Sequence, residues 1–360
     1  MSSGLVTSRR NRRTPYTDCV EALGVSGFSI VNHTLLPKSF ARSVEEDYWH
    51  LKEHVQLWDV GCQRQVELRG PDAVLLAQKM TPRDLRSMKP GQCYYTPVID
   101  NHAGLLNDPV LLKRASDWFW FSIADSDVLL WAKALALGMN LDVQVSEPDV
   151  WPLAVQGPRA EDLVASVFGD ETRSVRYFSF LECDFHGRQL VVARSGYSKQ
   201  GGFEIYLDDS VLGSTLWDTL WEAGADLQVA PGCPNLIERI EAGLLSYGNE
   251  MTRENNPLEI NLDRFCHLEG EIDYIGRSAL EAIATQGPSQ RMRGLLIDGE
   301  PCPPCGKPWP VFVDDVQVGQ VTSAIWSPAF HKNVGLSLID KDHWNPGTPV
   351  TVLLPDGHEL

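Results

Sequence analysis

The chain lacks the short motifs that mark most large classes of enzyme. It contains no GxGxxG after a predicted strand, no GxxxxGK[ST] loop, no HExxH and no GxSxG. These absences argue against dinucleotide-dependent hydride transfer, phosphoryl transfer, zinc-dependent hydrolysis and acyl transfer by a nucleophilic serine. The nine histidines show no metal-ligand spacing, so we expect no metal.

Long hydrophobic runs and an excess of positive charge are also missing. No segment is long and apolar enough for a membrane span, and the arginines of residues 9–13 are not followed by the apolar stretch of a secretory leader. We interpret those arginines as a solvated arm. The net charge of −17 argues against nucleic acid and anionic membranes as partners. The sequence therefore predicts a cytoplasmic protein.

Cysteine is scattered through the chain, with eight residues among 360. The single CxxC, Cys302-Pro-Pro-Cys305, has no second pair at zinc-binding spacing. It also lies in a proline-rich loop, whereas a redox CxxC opens a helix after a strand. We predict reduced thiols throughout.

The pattern of apolar residues predicts an α+β protein with a β-rich end. A strand, a Gly-Pro pair and a helix follow one another twice, around Gly70-Pro71 and around Gly157-Pro158. After about residue 290, short apolar segments alternate with turn residues, which is typical of a small antiparallel barrel or sandwich. We expect an α+β body followed by a C-terminal antiparallel β-barrel or sandwich domain.

Three further elements are predicted from periodicity. Residues 38–58 carry an apolar stripe at helical spacing, with Pro37 suited to the first turn, and predict one long helix. Residues 105–113 predict a strand, with Pro109 marking an edge or a bulge. Residues 124–137 predict a helix capped by Asp125 or Ser126.

Two carboxylates stand where a charge is unexpected. Asp108 interrupts the apolar run of residues 105–112, and a buried charge there needs a partner. A functional acid and a residue that caps a turn explain it equally well. Glu204 follows Gly201-Gly202, which permit a close approach of the backbone to a ligand. A carboxylate can accept two parallel bonds from a heterocycle with an amino group beside a ring N–H, but a solvated strand residue is the competing interpretation.

Arg239 lies in a predicted helix over residues 235–245. It could hold an anionic group of a ligand, form an internal ion pair, or be one of two exposed charges with Glu241 two residues on. The residues themselves do not decide between these alternatives.

Several phrases, taken in order, resemble the aminomethyltransferase (glycine-cleavage T-protein) superfamily. They are Tyr94-Tyr95 with residues 104–108, residues 201–205, residues 239–249, and Ser327-Pro328 with residues 332–334. Other phrases resemble the dimethylsulfoniopropionate demethylase branch of that family, among them residues 32–37, 51–59, 123–127, 198–206 and 248–254. The resemblance covers nearly the whole chain and preserves the spacing.

The resemblance implies a fold of three domains around a folate channel. Residues 1–62 and 146–270 would form one α+β domain, residues 63–145 a second, and residues 271–360 the β-rich domain. It implies a methyltransferase that moves a methyl group from a small cationic sulfonium compound to N5 of tetrahydrofolate, without a metal. The expected assembly is a monomer or a homodimer.

The resemblance also implies residue roles. Asp108 would be the catalytic acid beside folate N5. Folate would be bound by three residues: Glu204 as the pterin anchor, with Tyr95 and Arg239. We assign Tyr206, Tyr197 and Lys199 to the substrate, with Lys199 or Tyr206 for its carboxylate.

Two departures and three alternatives accompany this interpretation. Tyr197 stands where the demethylase branch has tryptophan, and the sequence ends soon after the predicted strand 350–354, where the family has one more strand. The alternatives are aminomethyl transfer, demethylation of betaine-like or N-methyl compounds, and folate binding without catalysis.

Overall fold

A computed structural model describes residues 8–360 of the chain. This part of the chain contains eight α-helices, most of them two to three turns long. They are α1 Thr17–Ala22, α2 Val44–Glu53, α3 Ala73–Met80, α4 Val128–Gly138, α5 Ala160–Phe168, α6 Gly213–Ala223, α7 Leu236–Ala242 and α8 Arg277–Gln286.

The described residues also form twenty strands, most of them short. They are β1 Gly27–Val31, β2 Thr34–Ser39, β3 Val55–Asp59, β4 Gln65–Arg69, β5 Cys93–Tyr95, β6 Val98–Ile99, β7 Leu105–Asn107, β8 Val110–Ala115, β9 Trp118–Ser122, β10 Gln144–Ser146, β11 Trp151–Gln156, β12 Phe180–Phe185, β13 Arg188–Ala193, β14 Gly202–Leu207, β15 Val229–Gly232, β16 Gln290–Ile297, β17 Trp309–Val313, β18 Val316–Ser327, β19 Lys332–Asp340 and β20 Thr351–Val352.

The chain divides into two compact units, each built from several segments. Unit 1 comprises the described part of Met1–Leu76, together with Ser87–Tyr95 and Pro109–Asn235. Its largest sheet has the order β12-β13-β14-β11-β3-β15, in which only β15 pairs in parallel with its neighbour β3. A second sheet of unit 1 has the order β10-β4-β9-β8-β5, and β1 with β2 forms a hairpin.

The two faces of the six-stranded sheet differ in chemistry, because side chains alternate along a strand. One face carries Leu153, Phe203 and Ile205, which join a large apolar core with residues of α5 and α6. The opposite face carries Gln156, Glu204 and Tyr206, all of them buried. A buried polar face is costly, so its residues need specific partners.

Unit 2 comprises Ala77–Arg86, Thr96–Asp108 and Leu236–Leu360. Its main sheet has the order β16-β19-β18-β17-β20, with every pair antiparallel. After β20 the chain turns, and residues 358–360 hydrogen-bond back to it through Leu360 and Val352. The short strands β6 and β7 pair with each other just before Asp108.

The predicted α+β class is confirmed, and so is the β-rich C-terminal part. Among the described residues the C-terminal strands form an open five-stranded sheet, and their pairings do not close into a barrel. Each of the three large sheets takes its strands from one predicted domain range, except that β10 reaches one residue past 145. The domain boundaries themselves stay a prediction.

The prediction of one helix over residues 38–58 is wrong at both ends. The helix begins only after Ser43, whose hydroxyl accepts a bond from Glu46 N while the Glu46 carboxylate accepts one from Ser43 N. This reciprocal capping fixes the first turn. Pro37 instead lies in strand β2, and Val55 begins the wholly buried strand β3. The apolar residues after residue 54 therefore belong to a sheet core.

Three smaller predictions also need correction. The strand predicted over residues 105–113 is two strands, β7 and β8, which are interrupted at Asp108-Pro109. Helix α4 begins at Val128, so neither Asp125 nor Ser126 caps it. Arg12 and Arg13, expected in a solvated arm, form ion pairs within unit 1. The interpretation of the extreme N-terminus falls partly on residues 1–7, outside the described residues.

Three of the expected absences can be compared with the described residues. Every helix in residues 8–360 is too short or too polar to span a bilayer. In the same range no three His, Cys, Asp or Glu side chains are grouped to hold a metal ion. All eight cysteines are free thiols.

Asp59 generates a prediction about the pH dependence of stability. Asp59 is the last residue of β3, and it is fully buried. Its carboxylate accepts hydrogen bonds from Thr14 Oγ1 (2.6 Å) and Gly61 N (3.1 Å). Burial outweighs both bonds and raises the pKa of Asp59 from 3.8 to about 7. Because this pKa is raised on folding, the stabilising contribution is complete below pH 4 and is lost as the pH rises through 7.

We therefore expect Asp59→Asn to remove much of the decline in stability between pH 4 and pH 8. A shift of this size corresponds to about 4 kcal/mol in the free energy of unfolding. Urea unfolding at a series of pH values measures it. Asp18→Asn, at an exposed carboxylate of the same unit, should keep the wild-type decline, and an equal decline in Asp59→Asn would contradict the assignment.

Candidate active site

Glu204 lies near the middle of β14, with small residues on both sides. It is directly opposite Ala154 of β11 and Ala193 of β13. Large side chains at these positions would cover the carboxylate, because opposite residues on one face of a sheet are neighbours. The two alanines therefore present only methyl groups beside Glu204, which is itself only 4% exposed.

The amide of Gln156 packs closely against two glycines beside this acid. A Cβ on Gly196 or on Gly202 would overlap the Gln156 side chain. Gln156 Nε2 donates to Ser195 O (3.3 Å), and Gln156 Oε1 accepts from Ser198 Oγ (2.8 Å). Of the Gly201-Gly202 pair, only Gly202 is closely approached, and the group that approaches its side-chain position is an amide of the protein; a Cβ on Gly201 would meet no atom within 4 Å.

The Glu204 carboxylate accepts a short hydrogen bond from a neighbouring serine. Ser195 Oγ donates to its Oε2 at 2.5 Å, and Ser195 is itself 3% exposed. Burial raises the pKa of Glu204, while the hydroxyl groups of Ser195 and Tyr206 act to lower that pKa. The charge state of Glu204 is therefore a balance between desolvation and a few donors.

Tyr206 follows Glu204 on the same face of β14 and is fully buried. Its ring lies 6.2 Å from that of Trp120, within an apolar cluster that includes Cys93. Its hydroxyl lies close to Glu204 and Ser122, yet it makes no hydrogen bond of good geometry with the described residues. Burial raises the pKa of Tyr206 well above its usual value, so the phenol stays protonated.

The other unit 1 candidates lie around this sheet face at different depths. Tyr197 is half-buried against Trp58 and Ala154, the alanine opposite Glu204. Lys199, on the same loop, is exposed, and Tyr95 is half-buried at the end of β5. The structure thus brings Tyr206 and Tyr197 near Glu204, and the binding roles of all four residues stay predictions.

Asp108 belongs to unit 2 and directly follows strand β7, whose last residue is Asn107. The strand before it is fixed at Leu105, whose N–H donates to Asn255 O (2.9 Å) and whose carbonyl accepts from Tyr247 Oη (2.9 Å). Asp108 is half-buried, and its Oδ1 is fully enclosed. Pro109 follows and cannot donate a ladder bond, so β7 ends here and the carboxylate leaves the strand.

Arg239 is 6% exposed and lies in a network of unit 2. Its Nη1 pairs with Glu250 (3.1 Å) and its Nη2 donates to Ser323 Oγ (2.7 Å), while Ser323 donates to Glu250. Glu250 also accepts from Ser246 N (2.7 Å). These contacts are those of an internal ion pair, the alternative left open by the sequence. A folate contact of Arg239 stays a prediction.

Sequence reasoning missed Ser195 and Gln156. Ser195 is not marked by any pattern in the sequence, because a serine in a loop carries no signal of its own. Gln156 precedes the second Gly-Pro pair, which predicted a helix start but not a polar group on the buried face. Two glycines separated by five residues were the only sequence sign of a close-packed side chain.

Comparison with known families gives the class of protein. Residues 16–270 match the GCVT N-terminal domain, and residues 290–359 match the glycine cleavage T-protein C-terminal barrel domain. The chain belongs to the glycine cleavage T-protein (aminomethyltransferase) family. The family predicted from the sequence is thereby confirmed.

Individual relatives place the chain within this family. It is 53% identical to dimethylsulfoniopropionate demethylase DmdA of Ruegeria pomeroyi, over 99% of this chain and 96% of the relative. It is 29% identical to an aminomethyltransferase of Bacillus subtilis, over 95% and 94% of the two chains. The predicted resemblance to the demethylase branch is confirmed by the first match.

The fold is also that of a solved structure. Aminomethyltransferase T of Bartonella henselae superposes with a TM-score of 0.85, covering 97% of this chain and 95% of that chain, at 23% identity. At this identity the likeness establishes the fold alone. It confirms the predicted T-protein-like architecture.

The unit 1 site fits a flat polar heterocycle such as the pterin of folate. Glu204 can accept hydrogen bonds, and the neighbouring Tyr206 hydroxyl lacks a well-formed bond within the described residues. Orphaned buried polar groups of this kind are rare, and a ligand is one explanation for them. The half-buried Tyr197 presents an aromatic face on the same side of the sheet, and such a face suits a cation as well as a flat ring.

The network of Arg239 generates a stability prediction. Arg239→Ala leaves the buried Glu250 carboxylate without its cation, which should lower the free energy of unfolding by about 3–5 kcal/mol. Urea unfolding measures this change. Arg291→Ala removes a more exposed pair with Asp263 of the same unit and should cost about 1 kcal/mol or less. If the free energy of unfolding falls by the same small amount in both variants, the ion pair of Arg239 does not stabilise the fold as predicted.

Proposed function

We propose that this chain is a tetrahydrofolate-dependent demethylase. It transfers a methyl group from dimethylsulfoniopropionate to N5 of tetrahydrofolate and gives methylmercaptopropionate and 5-methyltetrahydrofolate. The observation that carries the choice of substrate is the 53% identity to a dimethylsulfoniopropionate demethylase over 99% of the chain. The buried Glu204 and its polar neighbours support the choice of tetrahydrofolate as the methyl acceptor.

Tetrahydrofolate supplies the nucleophilic nitrogen of this reaction, and the sulfonium supplies a neutral thioether as leaving group. The chain therefore needs no strong acid. Its residues have to align the two substrates and exclude water, which in favourable cases lowers a barrier by roughly 7–11 kcal/mol. A net charge of −17 also favours the approach of a cation.

Two carboxylates have separate roles in the proposal. Glu204 accepts hydrogen bonds from the pterin edge and fixes its orientation, as an ionised acid does well. Asp108 stabilises the positive charge that reaches N5 and takes up the N5 proton, directly or through water. Tyr95 and Arg239 are assigned to folate, and Tyr206, Tyr197 and Lys199 to the sulfonium compound.

The choice of methyl donor is the first test. Purified protein is incubated with tetrahydrofolate and, separately, with dimethylsulfoniopropionate, betaine, N-methylated amines or an aminomethylated carrier protein. We expect 5-methyltetrahydrofolate from dimethylsulfoniopropionate, with a kcat/KM at least about 100-fold above that of any other donor. The reason is that the site aligns the methyl group of only one donor with N5 of tetrahydrofolate.

The products distinguish the alternatives. Formation of 5,10-methylenetetrahydrofolate with the carrier protein would identify an aminomethyltransferase. Methyl transfer from betaine or an amine alone would identify a different demethylase. Folate binding without turnover of any donor would identify a non-catalytic binder, and each of these outcomes refutes the proposed substrate.

Two conservative substitutions separate the roles of the acids. Asp108→Asn should lower kcat by about 100-fold or more because it removes charge stabilisation and the proton acceptor. Its Kd for tetrahydrofolate should stay within about twofold of wild type, since the pterin anchor is intact. Glu204→Gln should instead raise that Kd by about 10-fold or more because it removes charged hydrogen bonds. Calorimetry gives the Kd, and single-turnover kinetics gives the rate.

Two exposed acids of unit 1 serve as matched controls. Asp226→Asn and Glu222→Gln make the same chemical changes on the surface and should match wild type in both measurements. Unchanged turnover in Asp108→Asn would remove Asp108 from the mechanism, and unchanged affinity in Glu204→Gln would remove the anchor.

A further inference from the structure

Few neighbouring groups can stabilise the ionised form of the Glu204 carboxylate. Its cross-strand neighbours are Ala154 and Ala193, neither of which can donate from its side chain. The titratable groups that face it are Tyr206 on its own strand and Cys93 of β5. Both are neutral, because burial raises the pKa of each. No cation pairs with Glu204 among the described residues.

Among residues 8–360, Ser195 is the one group with a short hydrogen bond to this acid. Its hydroxyl donates to Oε2 at 2.5 Å, and both residues are buried. A hydroxyl has a single proton to donate, so Ser195 is committed to Glu204. Donation to an ionised carboxylate is stronger than donation to a neutral acid, and it therefore favours the charged form.

The backbone of Ser195 is held in place independently of Glu204. Its N–H donates to Ala193 O (3.0 Å), and its carbonyl accepts from Gln156 Nε2 (3.3 Å). Gly196 packs so tightly on the Gln156 side chain that a Cβ would overlap it. The hydroxyl is thus fixed before any ligand binds.

We propose that Ser195 is the positioning residue of Glu204: its hydroxyl keeps the carboxylate ionised and oriented at neutral pH, ready to accept from a ligand that presents adjacent N–H groups. The inference deepens the proposed function and relies on Glu204 as the anchor for its ligand. Ser195 itself contacts no substrate. Its effect is on the acid, so it should appear in the ligand-free protein.

The titration of Glu204 in the ligand-free chain is the deciding measurement. Protein with ¹³C-labelled glutamate carboxyl groups is followed by NMR over pH, and the Glu204 signal is identified by its loss in Glu204→Gln. In Ser195→Ala we expect the midpoint to move upward by about one pH unit, since a donor to the charged form is gone. Ser166→Ala, a serine of the same unit whose hydroxyl donates to Leu163 O, should leave the midpoint unchanged.

A second variant keeps the test valid if the alanine variant fails to fold. Ser195→Cys retains a side chain of similar shape with a weaker donor, and an upward shift smaller than that of alanine is expected. The same midpoint in wild type and in each folded variant would overturn the inference.

Tetrahydrofolate affinity over pH then links the inference to function. In wild type the affinity should fall as Glu204 becomes protonated, and in Ser195→Ala this fall should begin at a pH higher by the same shift. If Glu204→Gln does not weaken tetrahydrofolate binding, the assignment of Glu204 as the pterin anchor fails, while the NMR titration still decides the role of Ser195. A shifted NMR midpoint with an unshifted binding profile would overturn the link between Ser195 and the ligand.

Discussion

The organisation of unit 1 depends on keeping a carboxylate inside a β-sheet. A buried charge costs several kcal/mol unless hydrogen bonds compensate it, by the usual range of such penalties. The surroundings of Glu204 follow from this constraint: alanines opposite it, a serine that donates to it, and an amide, that of Gln156, which fixes the serine backbone. The opposite face of the same sheet packs against helices in an apolar core. One face of the sheet thus packs into the core, and the other face carries the polar side chains of the candidate site.

In unit 2 a buried carboxylate is compensated by a buried cation. Arg239 and Glu250 neutralise each other, and Glu250 also holds the backbone at Ser246. The segment that follows contains Tyr247 and Asn255, whose hydrogen bonds fix Leu105 in the strand that ends at Asp108. An ion pair far along the chain from Asp108 therefore helps to set the position of that acid.

Sequence reasoning succeeded where a residue contradicted its local pattern. Asp108 and Glu204 were recognisable because a carboxylate in an apolar strand needs an explanation, and the Gly-Pro pairs gave correct strand-to-helix junctions. It failed where the pattern was locally consistent but tertiary structure decided. The stripe in residues 38–58 suits a helix, yet its last part is a fully buried strand. Ser195 gave no signal, because its importance comes from a partner nine residues away.

The interleaving of the two units has a consequence for how the protein is made. Ala77–Arg86 and Thr96–Asp108 belong to unit 2, but most of that unit, Leu236–Leu360, is translated much later. On the ribosome these early segments must wait for more than a hundred residues before their partners emerge. Such long sequence separations slow folding and prolong the exposure of apolar surface. The apolar residues of β6 and β7, which precede Asp108, would thus stay without their unit 2 partners throughout this interval.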